Sequence, residues 1–225
     1  AHFECAASTN SAMPPQKQST AVMATYGRFP VKLERGQGVW VRDSQGRSYL
    51  DCVAGIATCT LGHSDRALRR ALTQQLRKLQ HVSNLYCIGE QEELASWIAA
   101  NSCCDQVFFC NSGAEANEAA IKLARKYGHS RRGINQPLIL TARASFHGRT
   151  LAAVTATGQP KYHRGFEPLP DGFAYFDYND ISSLETALQQ HSDRAVAVLL
   201  EPLQGEGGIL PGDRDFFARL RQLCD

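Results

Sequence analysis

Residues 108–126, FFCNSGAEANEAAIKLARK, decide the fold. The apolar run that contains their start, QVFFCN (106–111), reads as a buried strand. It passes through Asn111, Ser112, Gly113 and Ala114 directly into apolar residues at helical spacing, so 113–128 reads as a helix. Downstream the alternation continues. PLILTA (137–142) and FAYFDY (173–178) read as strands, 181–190 as a helix, AVAVLLE (195–201) as a strand and 213–224 as a helix. Strands alternating with helices predict an α/β fold with a mostly parallel sheet flanked by helices. The last helix carries Phe216, Phe217, Leu220 and Leu223 as an apolar stripe. A helix of this kind packs on a sheet and hands the chain to another strand, so the domain is expected to be truncated at Asp225.

Upstream the pattern is different. VKLERG, VWVRD and SYLDCV, with a turn at Ser44, Gln45 and Gly46, predict a small β meander. Ser64 is the expected cap of a helix whose Leu68, Leu72, Leu76 and Leu79 recur at helical spacing, and a second helix over 90–100 carries Leu94, Trp97 and Ile98. Residues 1–20 lack hydrophobic periodicity, arginine and a secretory h-region, and read as a flexible tail rather than a targeting segment. The expected division is therefore 1–20 as tail, 21–80 as meander plus linking helix, and 81–225 as the α/β part.

Composition narrows the partners. The 225 residues are 43% hydrophobic and 20% charged, with 24 basic and 22 acidic residues interspersed. No basic stripe suggests nucleic acid, and no apolar run approaches the ~18 residues of a membrane span. A small-molecule partner for a soluble, intracellular enzyme is the expectation. The eight cysteines are irregularly spaced, mostly in apolar stretches, which points to reduced thiols packed as small hydrophobes; no paired C-x-x-C supports a zinc site among Cys103, Cys104 and Cys110.

Three loops that follow strands carry unusual residues, at the edge where open parallel sheets bind ligands. In the first, Ser112, Gly113 and Ala114 stand at a helix start, where free N–H groups and the helix dipole favour a phosphate. Ser112 and Glu115 equally have the S-x-x-E spacing of a capping box, which needs no ligand. Neither a P-loop nor a G-x-G-x-x-G is present. In the second loop, ASFHGRT, Phe146 offers a face for a planar ring and Arg149 a bidentate grip for a carboxylate, while His147 is either a structural histidine or an acid/base. The third, EPLQGEGG, brings Glu201 and Glu206 to the same edge, for acid/base work or amine binding; alternatively Glu201 is a buried group held by backbone or an arginine.

Together these loops, with YGRFPVKLERGQGVWVRDSQGRSYLD, HVSNLY, TATGQPKYH and their order from Tyr26 onward, resemble the class III pyridoxal-phosphate-dependent aminotransferases of fold type I, over nearly nine tenths of the chain. The resemblance implies pyridoxal 5′-phosphate as cofactor, bound at its phosphate by the residues at Ser112, Gly113 and Ala114 and stacked on Phe146. It implies that Arg149 holds a substrate carboxylate, that Glu201 lines the substrate pocket, and that the enzyme is a homodimer whose HVSNLY region serves the neighbouring site. The implied reaction moves the 5-amino group of N2-acetyl-L-ornithine to 2-oxoglutarate, in arginine biosynthesis. Ornithine and 4-aminobutyrate are alternative donors, and an inactive phosphate-binding module is the alternative of another class. The compartment would be a bacterial cytoplasm, or a plastid or mitochondrion in a eukaryote. The family commonly reads GHCHP where this chain has Gly62, His63, Ser64, Asp65 and Arg66, a difference at a helix start.

The family's Schiff-base lysine, its ring-nitrogen aspartate, a nearby glutamine and a late arginine all fall beyond the position matching Asp225. None of Lys17, Lys32, Lys78, Lys122, Lys126 and Lys161 lies in an apolar stretch at a strand end, where a depressed pKa would suit that role. No catalytic residue and no metal ligand is therefore assigned within this chain, and as it stands the chain is expected to be inactive.

Overall fold

The computed structural model describes residues 21–225, so the tail expected over 1–20 lies outside the described residues. The chain forms two compact units, one ending at Gly89 and one running from Glu90 to Asp225.

The first unit is built on the expected meander: β1 (Leu33–Gln37), β2 (Trp40–Asp43) and β3 (Ser48–Leu50) pair antiparallel in that order. Asp43 ties the β2–β3 turn. Its carboxylate accepts from the N–H groups of Gln45 and Arg47, each at 2.9 Å, from Arg47 Nε at 2.6 Å and from the Tyr49 hydroxyl at 2.9 Å. Burial alone would raise this carboxyl, but these donors outweigh it and hold it at about 2. A short distorted helix α1 (Ala54–Ala57) follows, with Gly55 and Ile56 at positive φ. The next helix, α2 (Arg66–Leu76), is not capped by Ser64. Asp65 takes that place and accepts from Leu68 N at 2.8 Å. Ser64 sits at φ 55°, which turns its hydroxyl away from the helix to donate to the Gly36 carbonyl at 2.8 Å.

The second unit holds α3 (Gly89–Ala100), α4 (Gly113–Arg132), β4 (Leu138–Ala142), α5 (Leu151–Ala156), β5 (Phe173–Phe176), α6 (Ile181–Gln190), β6 (Ala195–Leu199), the hairpin β7 (Leu203–Gln204) and β8 (Leu210–Pro211), and α7 (Arg214–Cys224). The main sheet is parallel, in the order β5-β4-β6. Its central strand is buried along its whole length. Leu138, Leu140 and Ala142 pack with Phe176, Leu184, Ala187, Phe216 and Leu220, which brings α6 and α7 to one face. Ile139 packs with Ile121 of α4 and Ala156 of α5 on the other. The successive residues of a strand point to opposite faces, so a run apolar at every position is what a doubly covered strand requires. Each fully buried leucine or isoleucine contributes roughly 1.5–3 kcal/mol.

Three further expectations are corrected. QVFFCN forms no strand: residues 106–111 pair with no other segment among the described residues, and Phe108 is 69% exposed. An apolar run becomes a strand only when a neighbour takes up its N–H and C=O groups. The cysteines are not buried either, since six of the seven described ones are exposed, only Cys59 being partly covered; all seven are free thiols. The helix after Ser112 continues beyond 128 to Arg132, where Gly133 at φ 64° closes it. No described helix is long and apolar enough to cross a membrane.

Candidate functional site

The first loop ends in a Ser112 cap whose return bond from Glu115 falls one residue earlier than in a capping box, on Asn111. Ser112, extended at φ −156°, accepts from Glu115 N at 3.2 Å, and the Glu115 carboxylate reaches back to Asn111 N at 2.6 Å. That arrangement uses the N–H of Glu115 and leaves those of Gly113 and Ala114 without a partner among the described residues. A Cβ added at Gly113 would meet nothing within 4 Å, so the helix start faces open space. The Ser112 oxygen only accepts here, and its own proton stays available to a ligand. The Ser112 cap and an anion site thus coexist instead of excluding each other.

The second loop is bolted onto this helix start. Gly148, at φ 135°, comes so near that a Cβ there would lie 2.8 Å from Ala114 Cβ. Asn117 Nδ2 donates to the His147 carbonyl at 2.6 Å, and the Glu118 carboxylate accepts from the Thr150 hydroxyl and from Ala153 N at 3.2 Å. The third loop closes on the second. Glu201 accepts from Phe146 N at 2.9 Å through one oxygen and from Gly205 N at 3.4 Å through the other, and Gln204 Nε2 donates to the Arg143 carbonyl at 2.8 Å. A side chain at Gly207 would run into the Ala144 carbonyl. Three loops far apart in sequence therefore form one frame at the C-terminal ends of β4 and β6.

The residues within this frame differ in what they are free to do. Glu201 is the backbone-held group that one of its two sequence readings described, and its carboxylate fixes the peptide that carries Phe146. His147 is 4% exposed; burial drives its pKa down to about 4, so the ring is neutral. Its Nε2 has no hydrogen-bond partner among the described residues. Arg149 is exposed, and its guanidinium carbon lies 5.3 Å from the centre of the Tyr162 ring. Tyr162 in turn donates to Glu206 and meets the Phe146 ring edge-on, with centroids 6.1 Å apart. Sequence reasoning singled out Ser112, Gly113, Ala114, Phe146, Arg149, Glu201 and Glu206. It missed Asn117, Glu118 and Gln204, whose side-chain hydrogen-bond partners lie 30 or more residues away, and Tyr162, whose hydroxyl partner Glu206 is 44 residues away; no local pattern marks such residues.

A family model described as aminotransferase class-III matches residues 21–225. The chain belongs to the class-III aminotransferases. Among curated relatives, it is 68% identical over 213 residues to the acetylornithine aminotransferase of Parasynechococcus marenigrum (strain WH8102), which covers 93% of this chain and 51% of that protein. Among solved structures, the N-acetylornithine aminotransferase of Stenotrophomonas maltophilia K279a is 44% identical with a TM-score of 0.73, covering 89% of this chain and 49% of its own. The ornithine aminotransferase of Toxoplasma gondii ME49 is 29% identical with a TM-score of 0.85, covering 91% and 48%. A second structure of the Toxoplasma enzyme has partial occupancy of pyridoxal phosphate at its active site. This class-III chain spans about half the length of the relatives it matches, and its α/β fold is the one these transaminases share.

Proposed function

We propose that this chain supplies the cofactor cradle and the carboxylate grip of a pyridoxal-phosphate-dependent transaminase that moves the 5-amino group of N2-acetyl-L-ornithine to 2-oxoglutarate. The reading is carried by the frame itself, in which Gly148 packs on Ala114 and Glu201 holds the Phe146 peptide. Cradle, ring platform and grip are then parts of one rigid body. A phosphate-bearing aromatic cofactor fits the residues present: two unpartnered N–H groups and a spare hydroxyl proton at an open helix start suit a phosphate, and a half-buried phenyl ring suits a planar heterocycle.

When bound, pyridoxal 5′-phosphate supplies the electron sink for removing a proton from the donor carbon. Ser112, Gly113 and Ala114 bind its phosphate, and Phe146 orients its ring. Arg149 grips the donor's α-carboxylate through paired N–H groups. Glu201 fixes the peptide that carries Phe146 and would line the substrate pocket. His147, buried and held neutral by that burial, is given no part in the reaction. The lysine that bonds the cofactor covalently is assigned to the part of the relatives' length outside this chain, as is the ring-nitrogen aspartate. Lys161, beside this frame, is exposed with its ammonium over Tyr162. The active form is a homodimer.

Ornithine is the second reading, favoured by the likeness in backbone shape to the Toxoplasma enzyme. Donor choice depends on side chains more than on backbone shape, and identity runs the other way, at 68% against 29%. The test is steady-state assay of the full-length polypeptide containing this segment, loaded with cofactor. N2-acetylornithine should exceed ornithine and 4-aminobutyrate in kcat/KM by about tenfold or more, and Arg149→Ala should lower the acetylornithine value by about thirtyfold. Equal use of all three donors, or no glutamate formed from acetylornithine, would contradict the proposal.

A further inference from the structure

We infer that Tyr162 is a positioning residue for the donor carboxylate, holding Arg149 in its gripping orientation; the inference rests on the proposed role of Arg149. A long guanidinium side chain at an exposed loop position loses up to about 2 kcal/mol of rotamer freedom when it is fixed, so a contact that fixes it beforehand strengthens its hold on a carboxylate. Tyr162 provides the support. The Arg149 guanidinium carbon lies 5.3 Å from the ring centre, inside the ~6 Å range in which a cation is attracted to an aromatic face.

The ring can serve as a platform because it is fixed on its other sides. Its hydroxyl donates to the Glu206 carboxylate. The Phe146 ring meets it at 72°. The Tyr162 backbone N–H donates to the Gln159 carbonyl at 3.0 Å, closing a 3-10 turn over Pro160–Tyr162. Lys161 Nζ lies 4.7 Å from the same ring centre, and the Glu206 carboxylate at the hydroxyl end offsets the charge that Arg149 and Lys161 bring together. One tyrosine thus joins the ring platform of the second loop, its carboxylate grip and the carboxylate of the third loop. Disturbing it should loosen the grip on substrate while leaving the phosphate cradle intact.

The experiment is a double-mutant cycle on the cofactor-loaded full-length polypeptide, measuring KM and kcat for N2-acetylornithine and cofactor content by visible absorbance. Tyr162→Leu should raise KM about three- to tenfold with kcat within about twofold of the parent and cofactor content unchanged. Tyr162→Phe, which keeps the ring, should restore KM to within about twofold. In an Arg149→Ala background, Tyr162→Leu should change KM by less than about twofold, because the residue it supports is gone. If the leucine variant loses cofactor, Tyr162→Met, which keeps the bulk without the ring, replaces it in the cycle. An unchanged KM in the ringless variant, or the same KM rise in both backgrounds, overturns the inference. A KM unaffected by Arg149→Ala alone would instead remove the proposed carboxylate role of Arg149.

Discussion

Two apolar runs lead into the frame and meet opposite fates. PLILTA places β4 at the centre of a parallel sheet, with Leu140 fully buried between strands and helices. QVFFCN, equally apolar, pairs with nothing among the described residues and leaves Phe108 69% exposed. Yet the helix start that QVFFCN feeds is as well ordered in its hydrogen bonds as the loop that β4 feeds, because Ser112, Glu115, Gly148 and Asn117 fix it from the α4 side. The candidate cradle is held by the helix and by the neighbouring loop more than by the run that precedes it.

The sharpest way to break this comparison is a pair of alanine substitutions. Leu140→Ala should cost about 3 kcal/mol in chemical denaturation, since it opens a cavity in a strand packed on both faces, whereas Phe108→Ala in this chain should stay within about 0.5 kcal/mol. Similar losses from both would mean that the 106–111 run is covered after all.

The pH dependence that His147 contributes probes the β4 side. His147 takes up its proton near pH 4 in the folded protein, against 6.5 for an ordinary histidine. Between those values the unfolded chain binds more protons than the folded one, so stability is fully present above about pH 6.5 and falls as the pH drops toward 4. The loss attributable to this residue is about 3 kcal/mol. Denaturation midpoints of the parent and of His147→Gln, measured from pH 7 to 4, check it: the difference in slope between them should disappear if His147 is not the titrating group.

A smaller effect tests the junction between the two sides. Gly148→Ala imposes a side chain at φ 135° and brings its Cβ to 2.8 Å from that of Ala114, which should cost about 2 kcal/mol and separate the second loop from the helix start. Loss of stability without any loss of cofactor affinity in the loaded enzyme would show that the junction does not shape the cradle.

Much of this was legible from local pattern. The alternation after residue 113, the meander, and the cap at Ser112 each depend on neighbours in sequence, and each formed as expected. Partnership at a distance was not legible. Whether QVFFCN finds a neighbouring strand, whether Ser64 or Asp65 caps α2, and whether Glu201 faces an arginine or a backbone N–H are settled by segments many residues away. In the candidate site, the residues proposed to bind cofactor and substrate stand out by residue type, while Tyr162, Asn117, Glu118 and Gln204, which contact that frame, do not.

The central claim is that the start of α4 is a phosphate cradle. It is tested most directly by a crystal structure of the full-length polypeptide loaded with pyridoxal 5′-phosphate. The account predicts phosphate oxygens about 2.7–3.2 Å from the backbone nitrogens of Gly113 and Ala114, with the ring against Phe146. A phosphate bound elsewhere, with those two N–H groups meeting only water, would contradict it.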